Sequence, residues 1–309
     1  MTSPIYDRIA VIGCGLIGSS IVRAAREHGA AGSIAVYDAN PAVRARVVEL
    51  GIADAVADDP VAAVKDADLV VLATPPGVLG DAAKACAPGL KPGATLTDVG
   101  GVKGTVARAM AKAAPEGVHV VPGHPIAGTE FSGPDAGFAS LFHNRWTVLT
   151  PQASTAPDYL EAVRRLTAFW EAMGARVELM DERHHDLVLA VTSHLPHLIA
   201  YNIVGTAEDL EQVTEGEVMK YSAGGFRDFT RIAASDPVMW RDIFLLNKDA
   251  VLEVLARFTE DLQALSRFIR RGDGDALEAL FARTRDIRRG VIAAGQESAD
   301  PNWGRDKDR

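Results

Sequence analysis

Apolar residues recur with two different periods along the chain, and the period changes near Asp181. Before that point, short β-rich runs at residues 8–12, 33–37, 69–73, 95–98 and 118–121, of which 69–73 is continuously apolar, alternate with helix-compatible stretches such as 19–27. Runs of this kind, bounded by glycine or polar turns, read as parallel strands buried on both faces. Residues 146–150 and 175–179 read as further strands flanking a helix over 159–173. After Asp181 the strand signal stops. Residues 182–206 are helix-compatible, with Pro196 a kink or break inside them. Asp236-Pro237 is a strong helix start, an N-cap acid followed by proline in the first turn. From there apolar positions recur at three- and four-residue steps to Arg271, which predicts one helix about 50 Å long. So long a stripe is expected to pack partly against a second subunit. A last helix is expected over 278–294, followed by a polar, frayed tail. The pattern predicts an α/β protein of two domains, 1–180 with a parallel sheet and 181–309 all-helical.

Composition narrows the partners. The chain has 309 residues, 48% hydrophobic and 24% charged, with a formal charge of −9, so a nucleic-acid partner is not expected. A few local arginines still permit an anionic substrate. Cys14 and Cys86 stand far apart in no metal-ligand spacing, and nothing near the N-terminus has the form of a leader or a membrane span. A cytoplasmic protein without a membrane partner is the expectation. No room is expected after Gln296 for a separate regulatory domain.

The first strand runs into Gly13-Cys14-Gly15-Leu16-Ile17-Gly18, a helix follows, and a second strand delivers Asp38 twenty residues after Gly18. That is the full Rossmann-type dinucleotide-binding context. Gly13 permits the tight turn, Gly15 lets backbone approach a pyrophosphate, and Gly18 lets helix and strand pack closely. The helix N-terminus, from Leu16 and Ile17, offers free N–H groups to phosphate. Asp38 suits ribose hydroxyls and repels a 2′-phosphate, so NAD is the expected cofactor. Later strands end at Thr74-Pro75, at Asp98 and at the Val121–Ser132 stretch, and ligands bind outside the carboxyl ends of such strands. Thr74, Pro75, Asp98 and His124 are therefore expected to face the cofactor. His124, between glycine and proline, is expected on a stiff, non-helical loop.

In the helical half three clusters stand out: His184-His185-Asp186, Ser193-His194-Leu195-Pro196-His197, and the stretch containing Arg227 and Arg231. The i, i+3 spacing of His194 and His197 permits zinc, but no cysteine cluster or HExxH accompanies it, and no metal is expected. Arg227 and Arg231, four apart, suit a small dicarboxylate, with a surface pairing to Asp228 as the alternative.

Four segments occur in order: Gly-Cys-Gly-Leu-Ile-Gly-Ser-Ser from Gly13, Gly-His-Pro-Ile-Ala-Gly-Thr-Glu from Gly123, Thr-Ser-His-Leu-Pro-His from Thr192, and Gly-Gly-Phe-Arg-Asp-Phe-Thr-Arg-Ile-Ala-Ala-Ser-Asp-Pro-Val-Met-Trp-Arg-Asp-Ile-Phe from Gly224. Together they resemble the prephenate/arogenate (cyclohexadienyl) dehydrogenase family of tyrosine biosynthesis, from Arg8 to about Gln296. The resemblance implies a helical domain that forms a homodimer. It implies NAD(P)-dependent oxidation of a small anionic cyclohexadienol with loss of carbon dioxide, giving 4-hydroxyphenylpyruvate from prephenate or tyrosine from arogenate. His124 matches the family's catalytic histidine, a base for the ring alcohol. Glu130 and Asp186 match a supporting ionic network. Arg231 matches the grip on the ring carboxylate, Arg227 a basic group near the pocket, and His197 a histidine at its entrance; Ser193, His194 and Trp240 would line the cavity. The family carries a serine in the turn after Asp98, where this chain has Gly101; water, Thr129 or Ser132 would have to replace its hydroxyl. The competing enzyme reading is a β-hydroxyacid or 6-phosphogluconate type of dehydrogenase, which takes its base from the helical domain. A NAD-binding sensor is the non-enzymatic one.

Overall fold

A computed structural model describes residues 3–129, 131–211 and 224–293. Six strands, β1 (Tyr6–Ile12), β2 (Ala31–Tyr37), β3 (Ala55–Val56), β4 (Leu69–Leu72), β5 (Thr95–Asp98) and β6 (His119–Val120), form one sheet in the order β3-β2-β1-β4-β5-β6. Every pairing in it is parallel. The connecting helices are α1 (Leu16–Glu27), α2 (Pro41–Leu50), α3 (Pro60–Val64), α4 (Leu79–Cys86) and α5 (Gly104–Ala113). This is the doubly wound dinucleotide-binding order, with its crevice where β1 and β4 send their connections to opposite sides. Alternation along β1 builds both faces of the core. Ile9 and Val11 join Ile21, Phe142, Phe169 and Trp170 on one side, while Ala10 and Ile12 join Val70, Leu72, Leu96 and Met110 on the other. Each such large side chain contributes about 1.5–3 kcal/mol by leaving water.

A second, three-stranded sheet follows: β7 (Gly123–Pro125), β8 (Trp146–Leu149) and β9 (Arg176–Leu179), with α6 (Pro157–Ala172) between the last two. His124 thus lies on a short strand, paired antiparallel with Val148, and not on a loop. The run of Pro122 and Pro125 hides a strand from periodicity, because three residues are too few to show alternation.

The helical part begins with α7 (Glu182–Leu189), whose N-cap Asp181 accepts the amides of Arg183 and His184. A π-helical turn, Ala190–His194, leads into α8 (Leu195–Glu211). Pro196 brings no N–H to the helix ladder, and the wider turn beside it presents Ser193 and His194. Next come α9 (Gly224–Thr230), a 3-10 turn Arg231–Ala234, α10 (Pro237–Leu246), α11 (Lys248–Arg271) and α12 (Gly274–Ala293). The predicted start at Asp236-Pro237 is present, with the Asp236 carboxylate accepting the Met239 amide at 2.7 Å. The predicted continuous helix is not: Asn247 interrupts it at φ −107°, ψ 28°. Its side chain is 5% exposed and turned inward. A polar residue drawn into a hydrogen-bonded interior breaks a register that apolar spacing alone would continue.

Contacts divide the chain into compact units Met1–Val251 and Leu252–Arg309, where the sequence pattern placed a boundary at 180/181. The reason is that α7 and α10 pack on the sheet half, while α8 and α9 pack on each other and on the turns beside them. The second unit, most of α11 with α12, leaves Leu262, Ile269, Phe281 and Ile287 about half exposed or more.

Candidate active site

The glycine turn has the geometry its spacing predicts. Gly13 has φ 93°, and a Cβ there would stand 2.6 Å from the Ala73 carbonyl oxygen. At Gly18 a Cβ would collide with the Gly13 carbonyl, whereas at Gly15 it would meet nothing within 4 Å. Gly15 therefore leaves open space at the start of α1, where Leu16 and Ile17 present their amides. The Asp38 carboxylate braces this turn, accepting Cys14 N–H at 2.8 Å and Asn40 N–H at 2.8 Å. Thr74, followed by exposed Pro75 at the exit of β4, has a buried hydroxyl without a protein partner. Open space, free helix amides, a carboxylate on the rim and an orphan hydroxyl fit a dinucleotide. Burial pushes the Cys14 thiol up to about 12, so it is a packed residue of the turn.

Asp98 differs from expectation. It is fully buried, and its carboxylate is taken by Lys103 Nζ at 2.5 Å and by the amides of Gly100 at 2.8 Å and Gly123 at 3.2 Å. It faces inward to β7 and not outward to the cofactor crevice.

His124 stands at the end of a polar chain. Its Nδ1 lies 2.9 Å from His185 Nε2, and His185 Nδ1 lies 2.9 Å from Asp186 Oδ1. The tautomers follow from the ends. A carboxylate only accepts, so His185 donates through Nδ1; its Nε2 then accepts, so His124 donates through Nδ1. The free lone pair of His124 is thereby on Nε2. That nitrogen faces Gly101, where a Cβ would be 3.7 Å away. The glycine leaves the space beside this ring without a side-chain hydroxyl from residue 101. Thr129 is occupied locally, accepting the Phe131 amide at 3.3 Å, and Glu130 lies outside the described residues.

Asp186 is also the cap of α5: Oδ1 accepts Lys103 N–H at 2.7 Å and Oδ2 accepts Gly104 N–H at 2.9 Å. Burial pushes its carboxyl up, but the His185 bond and these amides outweigh that and hold it below its ordinary value. The Asp186 carbonyl accepts Asn247 Nδ2 at 2.8 Å, and the same amide lies 3.1 Å from His194 Nδ1. His194 also hydrogen bonds the Gly101 backbone. Its ring meets Trp240 edge-on, and His197 stacks on the other part of Trp240 with centroids 3.6 Å apart. His197 Nδ1 is 2.9 Å from the Ser193 carbonyl, and the charge of Arg231 acts on this ring. The wall thus runs from His124 through Gly101, His194, Trp240 and His197 to Arg231. Arg231 is exposed, and among the described residues no carboxylate pairs with it. Arg227 is 80% exposed and lies 3.8 Å from Asp228, the loose surface pairing weighed as its alternative.

Burial lowers the pKa of the four imidazoles of this array, His124, His185, His194 and His197. His124 falls well below 6.5, with His185, Lys103 and His194 adding to the effect. His185 is lowered by burial against the opposing pull of Asp186, and His194 falls to about 4. At neutral pH the array is uncharged at its imidazoles, and His124 Nε2 is ready to accept a proton. His185 stood out only as part of its cluster, without a role, and Lys103 and Asn247 were given none from sequence. The adjacency of His185 to Asp186 was the available signal for the first; the others needed the fold.

Two family models cover the chain: the prephenate dehydrogenase nucleotide-binding domain matches residues 21–179, and the prephenate dehydrogenase dimerization domain matches residues 181–283. A cyclohexadienyl dehydrogenase of Zymomonas mobilis is 43% identical over 92% of this chain and 96% of its own length. A prephenate dehydrogenase of Bacillus subtilis is 33% identical over 92% of this chain and 76% of its own length. Among solved structures, prephenate dehydrogenase from A. aeolicus in complex with hydroxyphenyl propionate and NAD+ superposes with a TM-score of 0.83 at 37% identity, covering 93% of this chain and 98% of that one. A Mycobacterium tuberculosis 3-hydroxyisobutyrate dehydrogenase aligns with a TM-score of 0.53 at 15% identity, a likeness of fold alone over 82% of this chain and 94% of that one. By both halves and by identity over nearly its whole length, the chain belongs to the prephenate dehydrogenase family.

Proposed function

We propose that the protein is a NAD-dependent dehydrogenase that oxidises and decarboxylates prephenate, arogenate or both, with His124 as the base. The observation that carries this is the His124–His185–Asp186 chain, which fixes a neutral Nε2 on β7, just past the carboxyl end of β6. The chemistry the bound cofactor supplies is acceptance of a hydride from the ring carbinol carbon. His124 Nε2 accepts the alcohol proton in that step. The imidazolium so formed keeps its Nδ1–H on His185, whose own N–H stays on the Asp186 carboxylate. That carboxylate stabilises the new charge without taking the proton. Loss of carbon dioxide then aromatises the ring and makes the sequence irreversible. Arg231, solvated and paired with no carboxylate among the described residues, receives the substrate's carboxylate, and Trp240 with His194 and His197 forms the wall beside the ring. Arg227 adds positive charge at the rim.

Asp38 disfavours a 2′-phosphate, so NAD is preferred. The functional division follows the family halves at 180/181, with residues 181–251 serving the substrate although they pack with the sheet. The half-exposed apolar residues of α11 and α12 are covered in a homodimer. Residues 182–210 are apolar and long enough to span a membrane by composition, but His185, Asp186 and His194 inside them are held in the polar chain above. We read this as a core helix of a cytoplasmic enzyme. A β-hydroxyacid type of reaction would take its base from the helical half, yet the helical-half imidazoles here are ring partners of Trp240 or His124. NADH formation, measured with each substrate and with NAD or NADP, tests the reading. Turnover of neither substrate by protein that binds NAD overturns it.

A further inference from the structure

We propose that Lys103 and Asp98 together are the positioning pair of the site: their buried ion pair grips both backbone polar groups of Gly123 and so sets where the adjoining His124 ring stands. The inference rests on the reading of His124 as the base.

Lys103 is fully buried, and its Nζ lies 2.5 Å from Asp98 Oδ2 and 2.5 Å from the Gly123 carbonyl oxygen. Asp98 Oδ1 accepts the Gly123 N–H at 3.2 Å. The need for such a clamp comes from strand geometry. On β7 the bonds to β8 belong to the even positions: Pro122 C=O accepts Thr150 N–H at 2.9 Å, and Ile126 N–H reaches Trp146 C=O at 2.7 Å. Backbone groups alternate sides along an antiparallel strand, so those of Gly123 point away from β8. Among the described residues no strand hydrogen bonds to β7 on that side, and an unpaired buried backbone group costs as much as a lost hydrogen bond. The ion pair supplies both partners. Gly123 itself is closely seated, since a Cβ would come within 3.1 Å of the Asp98 carbonyl oxygen and of Leu149.

The same residue anchors the other end of the polar chain. The Lys103 backbone N–H donates to Asp186 Oδ1, the oxygen that holds His185. One residue therefore fixes the Asp186 end through its amide and the His124 end through its ammonium, and the span between them is set for two imidazoles in line. Buried ion pairs contribute little to stability compared with apolar replacements, so stability alone gives no reason to place one here. Burial lowers the Lys103 ammonium, and Asp98 opposes that pull.

The test compares wild type with the double variant Asp98→Asn/Lys103→Met, which removes both charges and leaves neither stranded. The single variant Lys103→Arg keeps a cation for Asp98, and with it the fold, but changes the donor geometry at Gly123. Near-ultraviolet circular dichroism and NAD binding check folding. The expected result is a kcat about 10- to 100-fold lower in the double variant, with KM within about threefold, and a smaller kcat loss in Lys103→Arg. Nitrogen-15 spectra of the histidines, without substrate, provide the second readout. The resonance absent from His124→Asn marks a single Nδ1–H tautomer in wild type and an averaged tautomer mixture in the double variant, or in Lys103→Arg should the double variant not fold. An unchanged kcat in folded variants, or a kcat loss with an unchanged His124 resonance, overturns the clamp. Failure of wild type to turn over either substrate overturns the base reading instead, while the nitrogen-15 comparison still decides whether the pair positions His124.

Discussion

Around His124 the polar groups are buried and joined in one chain, whereas Arg231 at the far end of the same wall stands in solvent, as does Arg227. The two regions meet opposite requirements. A base must be uncharged and aimed before substrate arrives, which takes burial, a fixed tautomer and a rigid mount. A guanidinium is already charged at any working pH, and burying it in advance would strip its hydration without a partner. In the proposed mechanism, preorganisation is spent on the imidazole, and the carboxylate grip is completed by the substrate itself.

The sharpest way to break this contrast is at the base. His124→Asn is expected to lower kcat about 10²-fold or more while NAD binding persists, measured by steady-state kinetics and cofactor fluorescence. Near-normal turnover removes the base assignment. At the other end of the wall, Arg231→Ala is expected to raise KM about 10- to 100-fold with a much smaller change in kcat, because a charge-assisted pair to carboxylate is lost. If kcat falls instead and KM holds, the guanidinium acts on the transition state and the contrast fails.

Acid should expose the buried region selectively. The folded pKa values of His124, His185 and His194 are lowered, to about 4 for His194. The unfolded chain therefore binds more protons than the folded one between about pH 6.5 and those lowered values. Stability is full above that window and falls as pH drops through it, by about 1.4 kcal/mol per pH unit for each such histidine. Asp186, also lowered, adds a loss of the same sign below its ordinary range near pH 4. Denaturant titrations from pH 7 to pH 4 measure the slope, and His194→Asn should make it shallower. A stability that is flat over this range contradicts neutral buried imidazoles.

The smallest effect concerns the turn where the resemblance implies a serine and this chain has Gly101. Gly101→Ser places its Cβ at ordinary contact distance from the His124 ring, so the added carbon fits without strain. The change in kcat/KM is expected to be less than about tenfold, in line with one hydrogen bond of about 1 kcal/mol. A large loss would mean that the open space at Gly101 is itself required.

Much of the nucleotide-binding half was legible because its signals are local. Gly13, Gly15, Gly18 and Asp38 sit at fixed offsets along strand, turn and helix, and buried parallel strands read as short β-rich runs. The site was legible only in part. His124 and Asp186 matched motifs, but their link runs through His185, whose role depends on a ring orientation set by α7 docking on α5. Asp98 was assigned to the cofactor by its place at a strand end. Its inward turn follows from a lysine five residues later, which no spacing rule anticipates. The helix break at Asn247 has a related cause: apolar periodicity carries no information about a single amide drawn inward to Asp186 and His194.

The Asp186 carboxylate has a consequence for how the enzyme is put together. It closes the first turn of α5 from 83 residues away at Lys103, so that turn lacks its cap until α7 has docked. The Lys103 and Gly104 amides should accordingly exchange with deuterium slowly in the native protein, and their exchange should speed up together whenever α7 lifts away. Those two protons are a built-in gauge of assembly: they report how often the completed enzyme comes apart at the seam between its family halves, without any substrate being present.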